Sequence, residues 1–159
     1  MSHDPFECLK HLEQERFRAM ILHAAPEKSL SITQFAKKIS ERTGGKYLDL
    51  LDLFIHTEEL SEHIDRFNPA ELRKLLIEQS KGSSLLVVDK IDFILDTWRL
   101  KERNDFYQLI RTQWDGFKDG TKAILVFCLQ TSLEIEALNI RDSQENSRVL
   151  SLSAFNDIL

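Results

Sequence analysis

The chain has 159 residues, a formal net charge of −5 and a hydrophobic fraction of 42%. This size allows one domain, expected over residues 1–159, with a core that needs no disulfide or structural metal. The acidic balance argues against a nucleic-acid surface that covers the whole domain. The absence of a long apolar run and the charged first residues exclude a membrane span and a signal peptide. We therefore expect a cytoplasmic protein without membrane contact.

The first half of the chain predicts two strands among helices, from apolar periodicity and from helix-ending signals. In chain order these are a helix packed on the domain within residues 1–18 (Pro5 to Arg18), a buried strand (Ala19 to Leu22), a polar loop, a helix closed by Gly44 and Gly45, a strand (Tyr47 to Leu50), and two helices over residues 58–79 separated at Pro69.

The second half predicts three more strands. In chain order the elements are a strand (Leu85 to Val88), a helical region (Ile91 to Phe117) interrupted near residues 97–103, a strand (Ala123 to Leu129), a short helix (Leu133 to Leu138) and a final strand (residues 148–155). The central strands are wholly apolar, which is typical of strands buried on both faces. The sequence therefore predicts an α/β fold: a three-layer, doubly wound, mainly parallel five-stranded sheet.

The segment after the first strand has the layout of a phosphate-binding P-loop, because a strand, a polar loop and a helix follow one another. With Thr33 in the last position of the G-x-x-x-x-G-K-[ST] pattern, the loop starts at Pro26. Pro26 and Ser31 then stand at the glycine positions, and Ile32 stands at the lysine position. A phosphate cradle needs flexible glycines and a lysine charge, so this loop is degenerate.

The ends of the other strands complete the candidate site. Asp89 ends the apolar run "LLVVD" in the manner of a Walker B strand, whose Asp helps to hold Mg²⁺. Lys90 follows where AAA+ ATPases have a catalytic Glu, and Asp92 is the next acid and the one candidate for a catalytic residue. The vestigial nucleotide-binding set is Lys28, Ser29, Ser31, Thr33, Asp89 and Thr131, with Thr33 and Asp89 as Mg²⁺ ligands if a nucleotide binds.

Two arginines flank the polar stretch "RDSQENS" near the end of the chain. Arg141 and Arg148 lie where ring ATPases present an arginine finger to a neighbouring subunit. A solvated surface role is the alternative for both.

Taken together, the segments "RAMILHAA", "LLVVDKIDFILD", "KAILVFCLQTS" and "SRVLSLSAF" resemble the ATPase core of AAA+ proteins without its helical lid. The length, the stretch "YLDLLDLFIHTEELSE" and the segment "VVDKIDFILD" resemble BrxF, the family of small P-loop proteins of BREX phage-defence systems. That family has an intact glycine-rich GK[ST] loop, from which this chain departs. The resemblance implies a bacterial defence complex in which ATP and Mg²⁺ are the expected cofactors where the loop is intact.

Three functions remain open on these residues. The first is a non-catalytic assembly or regulatory subunit that forms a homo-oligomer or joins other subunits of a defence complex, with DNA contacted through that complex. The second is a working ATP-binding or ATP-hydrolysing subunit in which Lys28 supplies the missing charge. The third is a nucleic-acid-binding accessory module that uses a basic patch of Lys37, Lys38, Arg42 and Lys46.

Overall fold

The structure, a computed structural model, describes residues 4–152. In this part of the chain five parallel strands form one sheet in the order β2-β3-β4-β1-β5. The strands are β1 Ala19–Ala24, β2 Lys46–Asp49, β3 Leu85–Asp89, β4 Ile124–Gln130 and β5 Val149–Ser151. The helices are α1 Pro5–Leu12, α2 Ser29–Thr43, α3 Leu50–His56, α4 Glu58–Glu62, α5 Pro69–Ser80, α6 Asp92–Thr97, α7 Leu100–Gln108 and α8 Leu133–Glu136.

Helices cover both faces of the sheet, which confirms the predicted three-layer α/β fold. On one face Leu12 of α1 and Phe35 of α2 pack in one buried cluster with Leu22 of β1. On the other face Leu72 of α5 packs in a second cluster with Phe127 of β4. Strands β1 and β3 are buried along their whole length, because each lies between two neighbours and two helical layers. This explains why they read as uninterrupted apolar runs.

The N-terminal helix is shorter than the sequence predicts. It begins at Pro5, where the Asp4 carboxylate caps the Phe6 amide, and it ends at Leu12 rather than at Arg18. Beyond the helix, Phe17 forms a β-bridge with Asp115. These backbone contacts to a distant loop replace the helical ones, and apolar periodicity cannot reveal them.

The connection from β1 to α2 also differs from the predicted polar loop. Ala25 is followed at once by a 3₁₀ turn, Pro26–Lys28, and α2 begins at Ser29. Thr33 therefore lies inside a helix and not at the end of an open loop.

At the end of the described chain, β5 covers three residues of the predicted final strand, and residues 153–155 of that prediction lie outside the described part. Among residues 4–152 no helix is both long and apolar enough to cross a lipid bilayer.

Candidate functional site

The strand order creates a crevice between the carboxyl ends of β1 and β4. The helix that follows β1 packs on one face of the sheet through Phe35, whereas the helix that follows β4 packs on the opposite face through Ile135. Adjacent strands whose connections leave on opposite faces mark the point where open α/β sheets bind ligands. The β1–α2 connection and the Gln130–Thr131 strand end both lie at this point.

The β1–α2 connection cannot wrap a phosphate group. Pro26 has no backbone N–H, and the 3₁₀ turn uses the amides of Lys28 and Ser29 in hydrogen bonds to the carbonyls of Ala25 and Pro26. Ile32, at the position of the phosphate-binding lysine, is 6% exposed and packs in the core. A phosphate cradle requires successive free amides and a lysine at the position that Ile32 occupies. Two amides of this segment are already bonded, and its one lysine, Lys28, lies four residues earlier.

Thr33 and Asp89, the two predicted Mg²⁺ ligands, are brought into direct contact. The Thr33 hydroxyl donates to Asp89 Oδ2 at 2.6 Å, and the Tyr47 hydroxyl donates to the same oxygen at 2.7 Å. The Lys90 amide donates to Asp89 Oδ1 at 2.9 Å, so both carboxylate oxygens are engaged. Asp89 is 3% exposed. Burial, and then the hydrogen bond to Asp89, raise the pKa of Tyr47 and keep its hydroxyl protonated as a donor.

Tyr47 is a site residue that the sequence reasoning missed. The sequence pattern identifies it only as the start of a strand, and its position on β2 places it one strand away from Asp89 on β3. One signal was available. Strands β2 and β3 both end in an aspartate, the two aspartates are paired in the sheet, and Tyr47 lies two residues before the end of β2.

Lys90, which stands where the resemblance to AAA+ ATPases predicts a catalytic glutamate, is a cation that is already paired. Its ammonium lies 3.2 Å from Asp49 Oδ2, and its backbone has a φ of 58°, in the left-handed region. A non-glycine residue in this region carries backbone strain, which the surrounding contacts must offset. The other oxygen of Asp49 caps α3 through the Asp52 amide at 2.9 Å.

Asp92, the predicted catalytic candidate, begins α6 and ties that helix to β4. Its Oδ1 accepts a hydrogen bond from the Gln130 amide at 2.9 Å. Burial raises the pKa of this carboxyl, the Gln130 hydrogen bond opposes the shift, and the nearby Asp96 adds to it. The carboxylate therefore fixes the end of β4, which is a structural use.

Thr131 is paired with a histidine that the sequence reasoning treated as scattered. The Thr131 hydroxyl lies 2.8 Å from Nδ1 of His23, and the Thr131 amide donates to the Ala24 carbonyl at 2.8 Å. His23 is 7% exposed, and burial lowers the pKa of its imidazole, while Glu136 opposes that shift. The strand β1 runs two residues beyond its predicted end, which is why His23 reaches the crevice.

The predicted nucleotide-binding residues are divided between two clefts that share Ala24 and Ala25 as a wall. A cleft of about 580 Å³ is lined by Lys28, Thr131 and His23. A cleft of about 450 Å³ is lined by Ser29, Thr33, Asp89 and Asp92, whereas Ser31 lines neither. The lysine proposed as a substitute charge therefore lies across the wall from the Thr33–Asp89 pair.

Arg148 was predicted as a possible arginine finger, and the structure contradicts this. The side chain is 3% exposed, and its guanidinium donates to backbone carbonyls at 2.9–3.3 Å from residues 17, 19, 110, 111 and 141. It fills the interior where the π-helical turn Leu109–Gln113 ends, and where carbonyls lack helical partners. Its donors are used inside the domain, so they cannot reach a neighbouring subunit.

Arg141 is exposed and bound within its own turn. Its guanidinium donates to the Asn139 side chain and to the Glu145 carbonyl, each at 2.8 Å. The basic patch is also partly engaged within the domain, because Lys37 lies over the ring of Tyr47 and Arg42 over the ring of Phe6. Lys46 bonds the Gln79 carbonyl and side chain.

The residues of the crevice do not fit a magnesium–nucleotide complex. The phosphate cradle is folded into a helix, the lysine position is apolar, and both oxygens of Asp89 are already engaged. Within the described part of the chain, no group of three or more His, Cys, Asp or Glu side chains is placed to hold a metal ion. No protein-family model, curated protein or solved structure matches the chain.

Proposed function

We propose that this chain is a non-catalytic, P-loop-like subunit with an assembly or regulatory role in a larger bacterial complex. The observation that carries the proposal is the 2.6 Å hydrogen bond between Thr33 and Asp89. In P-loop NTPases a Ser or Thr of the loop and the Asp of the Walker B strand hold Mg²⁺ together. Here the same two residue types meet at the same crevice and bind each other.

Loss of the nucleotide chemistry is supported by two departures from the motif and by one further contact. Tyr47 supplies Asp89 with a hydroxyl donor, Lys90 carries a cation where a general base is needed, and Ile32 removes the phosphate-binding charge. Each of these residues stabilises the fold through a hydrogen bond, an ion pair or apolar burial. The contacts of Thr33 and Tyr47 with Asp89 therefore serve as a joint between α2, β2 and β3.

The resemblance to BrxF supports placing the chain in a phage-defence complex in the bacterial cytoplasm. Its partners would be other subunits of that complex or further copies of this chain, and DNA would be contacted through the complex. This assignment rests on the sequence segments that carry the resemblance.

The proposal is tested by titrating ATP and GTP into the full chain in a calorimeter, with Mg²⁺ and with EDTA. We expect no saturable heat at ligand concentrations up to the millimolar range. Saturable, Mg²⁺-dependent binding that Thr33→Val or Lys28→Ala weakens, but the exposed Lys81→Ala does not, would overturn the proposal in favour of a working nucleotide site.

A nucleic-acid module would give a different result. Labelled duplex DNA would then shift in a salt-dependent manner, and Lys37→Glu together with Lys38→Glu would abolish the shift. We expect no such shift, because the patch is partly engaged within the domain and the chain is acidic overall.

A further inference from the structure

The smaller cleft combines exposed apolar side chains with carboxylates. Leu30 is 70% exposed, Leu51 is 38% exposed and Phe93 lines the same cleft. Its acidic wall consists of Asp96 and of Asp92, whose Oδ1 accepts a hydrogen bond from the Gln130 amide. Two other charged residues of the lining are already used, because Lys90 pairs with Asp49 and Asp89 is engaged by hydrogen bonds. This acidic cleft, defined by Leu30, Leu51, Asp92, Phe93 and Asp96, therefore presents apolar surface beside negative charge.

A short segment next to the acidic cleft has the opposite character. Arg99 and Lys101 are exposed, and Leu100 between them is 56% exposed. This basic turn, residues 99–101, comprises the last residue of the α6–α7 connection and the first two residues of α7. It offers one apolar side chain between two cations, which is the complement of an apolar cleft walled by carboxylates.

The acidic cleft and the basic turn share one region of the surface. Asp96 and Arg99 are three residues apart, so their Cα atoms lie within about 11 Å of each other by chain geometry alone. Two complementary patches side by side allow each patch to meet the other patch of a second copy after a two-fold rotation. That self-complementarity is the requirement for a closed, isologous dimer.

We propose that a second copy of this chain occupies the acidic cleft. Leu100 of each copy enters the cleft of the other beside Leu30 and Phe93, and the flanking Arg99 and Lys101 pair with Asp92 and Asp96. The contact removes exposed apolar surface from water on both copies and neutralises the charges reciprocally. This dimer rests on the proposed function and extends it, since it gives the acidic cleft a role in assembly instead of nucleotide binding.

Complementary charge reversals test this contact. Sedimentation velocity of the full chain should show a dimer that weakens at high salt. Asp96→Arg alone should weaken dimerisation at least about tenfold, because it removes one of the two negative charges of the cleft and places a positive charge opposite the basic turn. Arg99→Glu with Lys101→Glu should do the same, because acidic cleft then faces acidic turn.

Mixing the two variants is the decisive experiment, because the altered cleft of one variant then meets the altered turn of the other, which carries the opposite charge. We expect the mixture to form a heterodimer although neither variant dimerises alone, which a misfolded variant could not do. Phe117→Ser and Asp119→Lys, exposed positions that precede β4 at the end of the strand away from the cleft, should leave the dimer intact.

A monomeric wild-type chain at all concentrations would overturn the proposal. A dimer that persists in both variants, or a mixture that remains monomeric, would also overturn it. The nucleotide titration is independent of these results, so failure of the dimer and failure of the proposed function can be told apart.

Discussion

At the scale of single residues, the crevice is built from side chains that satisfy one another. Asp89 is engaged by two hydroxyls and one amide, and Lys90 is engaged by Asp49. Hydrogen bonds to a charged group contribute more to stability than neutral ones. The residues that would serve catalysis in a P-loop enzyme therefore hold α2, β2 and β3 together.

Tyr47→Phe tests this use of Asp89 directly. Removing the hydroxyl leaves a buried carboxylate with one donor fewer, and we expect the free energy of unfolding to fall by about 1.5–3 kcal/mol. Urea unfolding measures the change. Ser61→Ala, which removes an exposed hydroxyl, should change stability by less than about 0.5 kcal/mol. An unchanged midpoint for Tyr47→Phe would show that the bond to Asp89 contributes nothing.

His23 gives the crevice a pH dependence. Burial lowers the pKa of His23 below its ordinary value of 6.5, so the unfolded chain binds the proton more readily than the folded one. The resulting stability is fully present above pH 6.5 and is lost as the pH falls through the folded pKa. We expect His23→Gln to reduce the decline in unfolding free energy on acidification below that value. The exposed His63→Gln should not, and equal slopes for both variants would contradict this assignment.

Substitutions of Arg148 and Arg141 compare a buried arginine with an exposed one. Arg148→Met leaves several buried carbonyls without donors, and we expect it to lower the unfolding free energy by about 3 kcal/mol or more. Arg141→Met should cost less than about 0.5 kcal/mol, because Arg141 is exposed. Urea unfolding of both variants measures the difference, and similar small effects would refute the interior role.

At the scale of elements, apolar runs were sufficient to predict the strands, but not the segments fixed by distant contacts. The break between α6 and α7 at residues 98–99 confirms the predicted interruption. The early end of α1 and the helical start of the β1–α2 connection were not predicted. The first depends on what the backbone meets elsewhere, such as Trp114, whose carbonyl accepts from the Arg18 amide at 3.2 Å. The second is closed locally, by the hydrogen bond from the Lys28 amide to the Ala25 carbonyl.

The two glycines after α2 are needed for different reasons, Gly44 for its backbone conformation and Gly45 for lack of space. Gly44 has a φ of 71°, the left-handed conformation that ends many helices, and a side chain there meets open space. At Gly45 an added Cβ would lie 2.8 Å from the Leu85 carbonyl oxygen. The sequence identified the helix end, and the close approach of the sheet emerged only from the packing.

Asparagine substitutions distinguish these requirements. Asn tolerates the left-handed conformation, so Gly44→Asn should change the unfolding free energy by no more than about 1 kcal/mol. Gly45→Asn forces the chain away from β3, and we expect a loss of about 1–3 kcal/mol or more. Thermal and urea unfolding give both values, and a reversed order would show that space at Gly45 is not limiting.

At the scale of the whole molecule, the sequence predicts the three-layer fold and predicts that Thr33 and Asp89 belong to one site. It could not predict that Tyr47 reaches Asp89, that Thr131 pairs with His23, or that Arg148 is buried. These contacts join residues far apart in the chain, and their residue types are common on surfaces. The strands and helices can thus be predicted from local sequence patterns, whereas the side-chain contacts of the site depend on tertiary structure.

The most direct test of the central claim is phosphate release from ATP by the purified chain in the presence of Mg²⁺, compared with Asp89→Asn. If the crevice is a structural joint, both proteins should release phosphate at the background rate, while Asp89→Asn unfolds at a lower urea concentration. Turnover by the wild-type chain that Asp89→Asn abolishes would contradict the account, because Asp89 would then serve catalysis.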